Sequence, residues 1–138
     1  MLLETYKIMR WLFLVSRLLL GTIFVIFGLN GFVTFIPVPE LHPFMQMMVD
    51  SGFIYVVKAL EVVGGLMLLT NFRVPVALLI LGPVVVNILL YHIFFDPRNW
   101  PVSVLNLVLY LVILAKHWPI FRPLLTRFTA FSANIPDP

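Results

Sequence analysis

The chain has 138 residues, of which 62% are hydrophobic and 11% are charged. This apolar content exceeds the roughly 45 to 50% of typical soluble domains, so length and composition indicate a membrane protein of one domain. The formal net charge of +3 does not indicate a nucleic-acid partner, because the Lys and Arg residues punctuate apolar runs instead of sharing one water-exposed face.

The first predicted membrane span covers about residues 11–36. A span needs about 20 mainly apolar residues to cross roughly 30 Å of hydrocarbon. The basic start before this run is also typical of a secretory signal, but Arg17 interrupts the run and no small-residue cleavage site follows. We therefore interpret the segment as a retained first transmembrane helix.

Three further apolar segments meet the same length requirement, at about residues 52–71, 74–95 and 100–120. Proline and polar turn residues separate them, and the short connections in the last two breaks force neighbouring helices to be antiparallel. Lipid offers no hydrogen-bond partner to the backbone, so each span is expected to be helical. The predicted fold is an all-α membrane protein, an antiparallel bundle of four transmembrane helices in a single domain.

The distribution of basic residues predicts the orientation. With four spans, both termini share one side with the turn at Arg73. That side carries Lys7, Arg10, Arg73, Lys116, Arg122 and Arg127, with Arg17 just inside the membrane. The opposite loops offer only Arg98, so the positive-inside rule places both termini in the cytoplasm of a multi-pass inner-membrane protein.

Two segments outside the spans are expected to lie on the membrane surface. The outer loop between the first two spans would place four apolar side chains there, namely Phe44, Met45, Met47 and Met48. The tail, residues 121–138, would lie on the cytoplasmic face.

Each predicted span carries polar groups into the outer half of the membrane. At about 1.5 Å per helical residue, Lys58, Asn87 and Asn106 lie roughly 9 to 10 Å below the outer surface. Glu61 and Tyr110 lie roughly 14 to 15 Å below it. We therefore expect a shared pocket with apolar walls and a few convergent polar groups, the usual form of a small-molecule site. The candidate ligand-binding residues are Asn30, Lys58, Glu61, Asn87, His92, Asn106 and Tyr110.

Two spacings predict specific pairs. Lys58 and Glu61 are three residues apart, so they share a helix face and can pair. A charge at the bilayer centre costs about 2.5 to 3.5 kcal/mol on insertion scales, so both should turn toward the bundle interior. His92 and Asp96 are four residues apart, and the carboxylate would hold one ring N–H of the histidine.

Each of these residues also has a structural interpretation. The ion pair could serve only to fix the helix register, or Lys58 could extend outward to the interface. Asn87 and Asn106 are typical of hydrogen bonds between membrane helices. His92 is better placed as an interfacial residue than as a metal ligand, because no second His lies at ligand spacing. Arg17 is expected to reach the cytoplasmic headgroups, or the glutamate of the second span if the first two helices pack closely.

The runs Lys-x-x-Glu-x-x-Gly-Gly and Asn-x-x-x-x-His-x-x-x-Asp-Pro are unusual for membrane helices. With SRLLLGTIFVIFGLNGF and the proline-flanked fourth span, they resemble the DoxX family of small bacterial four-helix membrane proteins over about residues 10–118. The resemblance implies a four-helix bundle and a link to quinone-dependent redox complexes, since relatives are subunits of a terminal quinol oxidase and of a thiosulfate-to-quinone oxidoreductase. It points to Arg17, Gly28, Asn30, Lys58, Glu61, Gly64, Gly65, Asn87, His92 and Asp96.

The predicted function is an auxiliary or binding subunit whose pocket holds a quinone or a similar lipid-soluble molecule. Quinone carbonyls would accept hydrogen bonds from Lys58, His92 or Asn87, and Glu61 or His92 could relay protons. The chain has no cysteine and hence no redox dithiol of its own. No pattern for an intrinsic cofactor or a metal is visible, so electrons would come from a partner redox subunit. No catalytic residue is predicted.

Two other functions remain open. The chain could be a structural scaffold of a larger membrane complex, with charges that only lock the bundle. A transporter or proton pathway is favoured least, because the polar groups do not continue into the inner half and no broken-helix repeat is visible.

Overall fold

The structure, a computed structural model, describes the backbone of residues 1–132 and the side chains of residues 1–126. The described residues are all-helical, without a strand, as predicted. The elements are α1 (Leu2–Asn30), α2 (Pro43–Asp50), α3 (Phe53–Leu69), α4 (Val74–Phe94), a 3₁₀ turn (Pro97–Asn99) and α5 (Trp100–Ser132).

Three helical segments are long and apolar enough to cross a membrane: α1, α4 and Pro97–Thr126. Helix α3 has 17 residues and becomes a fourth candidate span when it is joined to α2 across a bend of 88°. The bend lies at Gly52, whose φ of 76° is a left-handed conformation that glycine adopts without steric cost. The described residues thus contain three candidate membrane helices, or four if the bent pair forms one span.

The four long helices enclose one apolar core. Helix α1 packs against α3 and α5, and α4 packs against the same two helices. Fully buried side chains from all four meet inside, including Leu20, Phe24, Leu68, Leu81 and Ile113. The outward-facing positions are also apolar, as the surface-exposed residues Val63, Leu79 and Val108 illustrate. A helix that is apolar all round is suited to a lipid environment.

Glycines set the close approach of α1 and α3. A Cβ atom added to Gly65 would lie 2.9 Å from the carbonyl oxygen of Gly21, and one added to Gly21 would lie 3.0 Å from the oxygen of Gly65. Because both contacts are with backbone, neither helix can relax locally to admit a side chain. Small residues at such contacts let the two backbones approach closely. Van der Waals packing between them then drives helix association in lipid, where the hydrophobic effect does not.

The first helix differs from the predicted span of residues 11–36 at both ends. It begins at Leu2 and ends at Asn30. The side-chain oxygen of Asn30 accepts hydrogen bonds from the backbone N–H groups of Phe35 at 3.0 Å and Ile36 at 2.7 Å. These bonds fold the following residues back onto the helix end, so the apolar segment 31–36 is not helical.

The last helix is longer than the predicted fourth span, which ends at about residue 120. Helix α5 continues through Pro119 and Pro123 to Ser132. A proline removes one backbone donor from a helix, and the neighbouring Leu and Ile residues favour the helical state on both sides. Residues 121–132 of the predicted tail are therefore part of α5, while 133–138 lie outside the described residues.

The segment between α1 and α3 contains a helix, α2, that packs on the protein. The ring nitrogen Nδ1 of His42 caps α2 by accepting a hydrogen bond from the N–H of Phe44 at 3.2 Å. The ring of Phe44 stacks on Phe95, with centroids 4.7 Å apart, and Met48 is buried. Of the residues expected on the membrane surface, Met47 is exposed, but Phe44 and Met48 face the protein because the helical turn gives α2 an inner side.

Candidate functional site

The predicted ion pair on α3 is confirmed. The Nζ atom of Lys58 lies 2.9 Å from Oε2 and 3.1 Å from Oε1 of Glu61. The glutamate is 3% exposed, whereas the lysine side chain is 21% exposed. The buried carboxylate thus has a cationic partner on its own helix, one turn away.

This pair lies at the contact between α1 and α3. A Cβ on Gly28 would lie 3.1 Å from the Cβ of Glu61, and a Cβ on Gly31 would collide with the stem of Lys58. The two glycines therefore provide the space that the charged side chains occupy. The arrangement holds the end of α1 against the middle of α3.

Glu61 on α3 and Asn106 on α5 are both buried polar residues. Gly64 faces Leu81 of α4, and Gly82 of α4 faces Tyr110 of α5. Glu61 and Asn106 thus each lie in the protein interior.

Asn106 carries a buried polar atom that no described residue satisfies. It is 4% exposed, and within the described residues its Oδ1 atom is a buried oxygen without a hydrogen bond. A buried polar group in this state costs about 1 to 3 kcal/mol. Its neighbour one turn earlier, Ser103, is satisfied by a bond of 2.7 Å to the carbonyl oxygen of Trp100.

Three other predicted site residues bond to backbone groups. Asn30 holds the segment after α1, and its Nδ2 also donates to the carbonyl oxygen of Ile36 at 3.3 Å. The Nδ1 atom of His92 lies 2.8 Å from the carbonyl oxygen of Ile88. The hydroxyl of Tyr110 donates to the carbonyl oxygen of Leu78 at 2.9 Å. These polar groups already have structural partners.

The predicted bond between His92 and Asp96 is not formed. Helix α4 ends at Phe94, so Asp96 leaves the helix face that the four-residue spacing assumed. It pairs instead with Arg98, whose Nε and Nη2 atoms lie 2.7 Å from its two carboxylate oxygens. This bidentate contact lowers the pKa of Asp96 to about 2.

Arg98 also joins two connecting segments of the chain, a contact that the sequence did not predict. Its Nη2 atom donates to the carbonyl oxygen of Glu40 at 3.0 Å. The segment before α2 is thus tied to the turn between α4 and α5. The Asp-Pro-Arg sequence was a signal for a local ion pair, because Pro97 forces a turn that brings residues 96 and 98 together.

Asn87 lies apart from the buried pair, in an open groove of about 880 Å³ between α2, α3 and α4. The groove is lined by Phe44, Met47, Met48, Ser51, Gly52, Phe53, Val56 and Asn87. Asn87 is surface-exposed. Val56 and Lys58 are two positions apart, which is about 200° around a helix, so the ion pair faces away from the groove.

Arg17 bonds to the C-terminal end of α3 and not to Glu61. Its Nη1 atom donates to the carbonyl oxygen of Leu68 at 2.6 Å. This carbonyl is one of the last of α3 and also accepts the backbone N–H of Asn71 at 3.2 Å. A cation is electrostatically favourable at this end of a helix. The close packing of α1 and α3 brings the guanidinium to this helix end.

No three His, Asp or Glu side chains in the described part of the chain are grouped so as to hold a metal ion.

The seven candidate ligand-binding residues lie in several different places. The ion pair of Lys58 and Glu61 lies at the α1–α3 contact, and Asn106 is buried on α5. Asn87 lines the groove. The remaining three bond to backbone carbonyl groups: Asn30, His92 and Tyr110. Whether any of them binds a ligand stays a prediction.

The fold defines the class as an all-helical chain with three or four helices that could span a membrane. No known family model matches the chain, and no curated protein or solved structure shows significant similarity to it. The resemblance to the DoxX family stays a prediction.

Proposed function

We propose that the chain is a DoxX-like multi-pass protein of the bacterial inner membrane, an antiparallel bundle of four transmembrane helices with both termini in the cytoplasm. The closed packing order of α1, α3, α4 and α5 supports this arrangement, with the bent α2–α3 pair as the second span. The apolar outer surface of the helices suits lipid. The basic residues near the termini and near Arg73 favour a cytoplasmic position for that end.

Within this arrangement, the proposed function is to bind a quinone, or a similar lipid-soluble molecule, for a partner redox subunit. The observation that carries the proposal is the groove around Asn87. Its volume of about 880 Å³ falls in the range of roughly 300 to 1,000 Å³ for small-molecule sites. Its walls are mainly apolar and aromatic, and Asn87 supplies a polar group without a hydrogen-bond partner among residues 1–126.

The chemistry of the groove fits a quinone ring. The amide nitrogen of Asn87 can donate to a quinone carbonyl, while Phe44 and Phe53 provide aromatic surfaces for the ring. The isoprenoid tail would run past Val56 into the surrounding lipid. In this proposal, the partner subunit supplies the electrons, and the ion pair of Lys58 with Glu61 holds the bundle together.

The proposal is tested by measuring the affinity of a short-chain ubiquinone for the purified protein in lipid nanodiscs. Asn87→Leu should weaken binding roughly two- to tenfold, the usual range for one hydrogen bond. Val56→Trp should fill the groove and weaken binding further. Val63→Trp is the matched control, because it adds the same bulk to an exposed position of α3 outside the groove.

Two outcomes would contradict quinone binding in the groove. Unchanged affinity in folded Asn87→Leu and Val56→Trp variants would exclude the groove. If binding were instead lost in the double variant Lys58→Met and Glu61→Met, the ligand would lie near the buried pair, as the sequence predicted.

A structural scaffold is the second candidate function. The packing of Lys58 and Glu61 against Gly28 and Gly31 favours it, because this contact needs no ligand to explain the charges. If the protein is a scaffold, the double variant Lys58→Met and Glu61→Met should retain its cellular function. The variant Asn87→Leu should retain it as well. Loss of function in a stable Asn87→Leu variant would count against a purely structural role.

A further inference from the structure

A second concave site lies at the opposite end of the helices from the groove. It has a volume of about 480 Å³ and is enclosed by the first half of α1, the turn between α3 and α4, and the second half of α5. We call it the basic pocket. Its lining residues are Lys7, Arg10, Trp11, Phe13, Leu14, Arg17, Asn71 and Lys116.

We propose that the basic pocket binds the phosphate headgroup of an anionic phospholipid. Four of its eight lining residues are cations. The nearest acid in sequence, Glu4, binds Lys7 at 3.1 Å. Arg10 and Lys116 have no ion-pair partner within residues 1–126. The pocket therefore retains an excess of positive charge that a phosphate would balance.

Two of the cations are held in place. Arg17 uses Nη1 to bind the carbonyl oxygen of Leu68, but a guanidinium has five N–H donors, so others remain for an anion. The Nζ atom of Lys116 lies 5.3 Å from the centre of the Phe13 ring, a cation–π contact. Both groups are thus oriented before a ligand arrives, which lowers the entropy cost of binding.

The surroundings of the pocket favour a lipid over a soluble anion. Trp11 lies at its edge and is 66% exposed, and tryptophan is enriched at the membrane interface. Two exposed residues further along α1, Val15 and Leu18, are apolar and would lie beside acyl chains. Basic pockets between membrane helices on the cytoplasmic side are suited to anionic headgroups.

The test is native mass spectrometry of the purified protein in detergent with added phosphatidylglycerol, phosphatidylcholine or glycerol 3-phosphate. The wild-type protein should retain phosphatidylglycerol in preference to phosphatidylcholine. The double variant Arg10→Gln and Lys116→Gln should weaken phosphatidylglycerol binding by about tenfold or more, since each cation near an anionic lipid contributes roughly fivefold. The control is Arg73→Gln with Arg122→Gln, which removes the same charge from the same end but outside the pocket.

Several outcomes would overturn the proposal. Equal losses in the two double variants would mean that general surface charge attracts the lipid. Equal retention of phosphatidylcholine would exclude recognition of an anionic headgroup. Binding of glycerol 3-phosphate as tightly as phosphatidylglycerol would assign the pocket to a soluble phosphate ester. If the Arg10→Gln and Lys116→Gln double variant fails to fold, Lys116→Gln alone should still reduce retention about fivefold, and an unchanged value would reject the site.

Discussion

Glu61 is buried beside Gly28, where an added Cβ atom would lie 3.1 Å from the Cβ of Glu61. The distance from Nζ of Lys58 to Oε2 of Glu61 is 2.9 Å. Since the lysine is partly exposed and the glutamate is almost completely buried, the two residues depend on each other unequally. Loss of the lysine leaves a buried charge, whereas loss of the glutamate leaves a cation that can turn outward.

Lys58→Met should therefore destabilise the protein more than Glu61→Met. Removing one partner of a buried pair costs about 3 to 5 kcal/mol, and the partial exposure of Lys58 places its value toward the lower end. The double variant Lys58→Met and Glu61→Met should recover most of the loss. The free energy of unfolding, measured by detergent-induced unfolding in mixed micelles, checks the cycle. Additive losses in the double variant would show that the pair is not a coupled unit.

Gly65→Ala should weaken the contact between α1 and α3. The new Cβ would meet the backbone oxygen of Gly21 at 2.9 Å, so the helices must separate, and overpacking of this kind typically costs about 1 to 3 kcal/mol. Val63→Ala on the exposed side of α3 is the control and should change stability little. Unfolding in mixed micelles measures both. Equal stability of Gly65→Ala and wild type would contradict the close approach of the two helices.

The bond between Asp96 and Arg98 predicts a dependence of stability on acid. The pKa of Asp96 is lowered from 3.8 to about 2, so the folded state favours the charged carboxylate. The contribution of this carboxylate to the stability of the folded protein is complete above its unfolded pKa near 4. It is lost as the pH falls from about 4 toward 2. Asp96→Asn should remove this component. Limited proteolysis of the outer loops between pH 3 and 7, with an acid-active protease at the lower end, should show a smaller increase in cleavage on acidification for the variant than for wild type.

The sequence was sufficient for the features that depend on local order. Apolar runs identified the four long helices but not α2, and the spacing of Lys58 and Glu61 identified their bond. The end of α1 was missed because an amide folding back onto residues 35 and 36 has no periodic signature. The prediction of a bond between His92 and Asp96 was wrong, because it assumed that the helix continues past Phe94.

The sequence could not predict which asparagine is buried and which is exposed, for a different reason. Helix α4 is apolar on nearly every side, so periodicity does not distinguish the face toward the core from the face toward lipid. Asn87 and Val85 are two residues apart on this helix, yet Val85 is completely buried and Asn87 is exposed. Only the packing against α3 and α5 decides between them.

Asn106→Leu should leave the stability of the protein unchanged or increase it by about 1 kcal/mol. The buried Oδ1 atom has no hydrogen-bond partner among the described residues, so an apolar side chain of similar size removes an unsatisfied group without breaking a bond. The comparison is Ser103→Ala, which breaks the bond to the carbonyl oxygen of Trp100 and should cost about 1 kcal/mol. Detergent-induced unfolding measures both variants. A loss of more than about 2 kcal/mol in Asn106→Leu would mean that a water molecule or a ligand satisfies the amide in the membrane, and it would bring the interior near Glu61 back as a binding site.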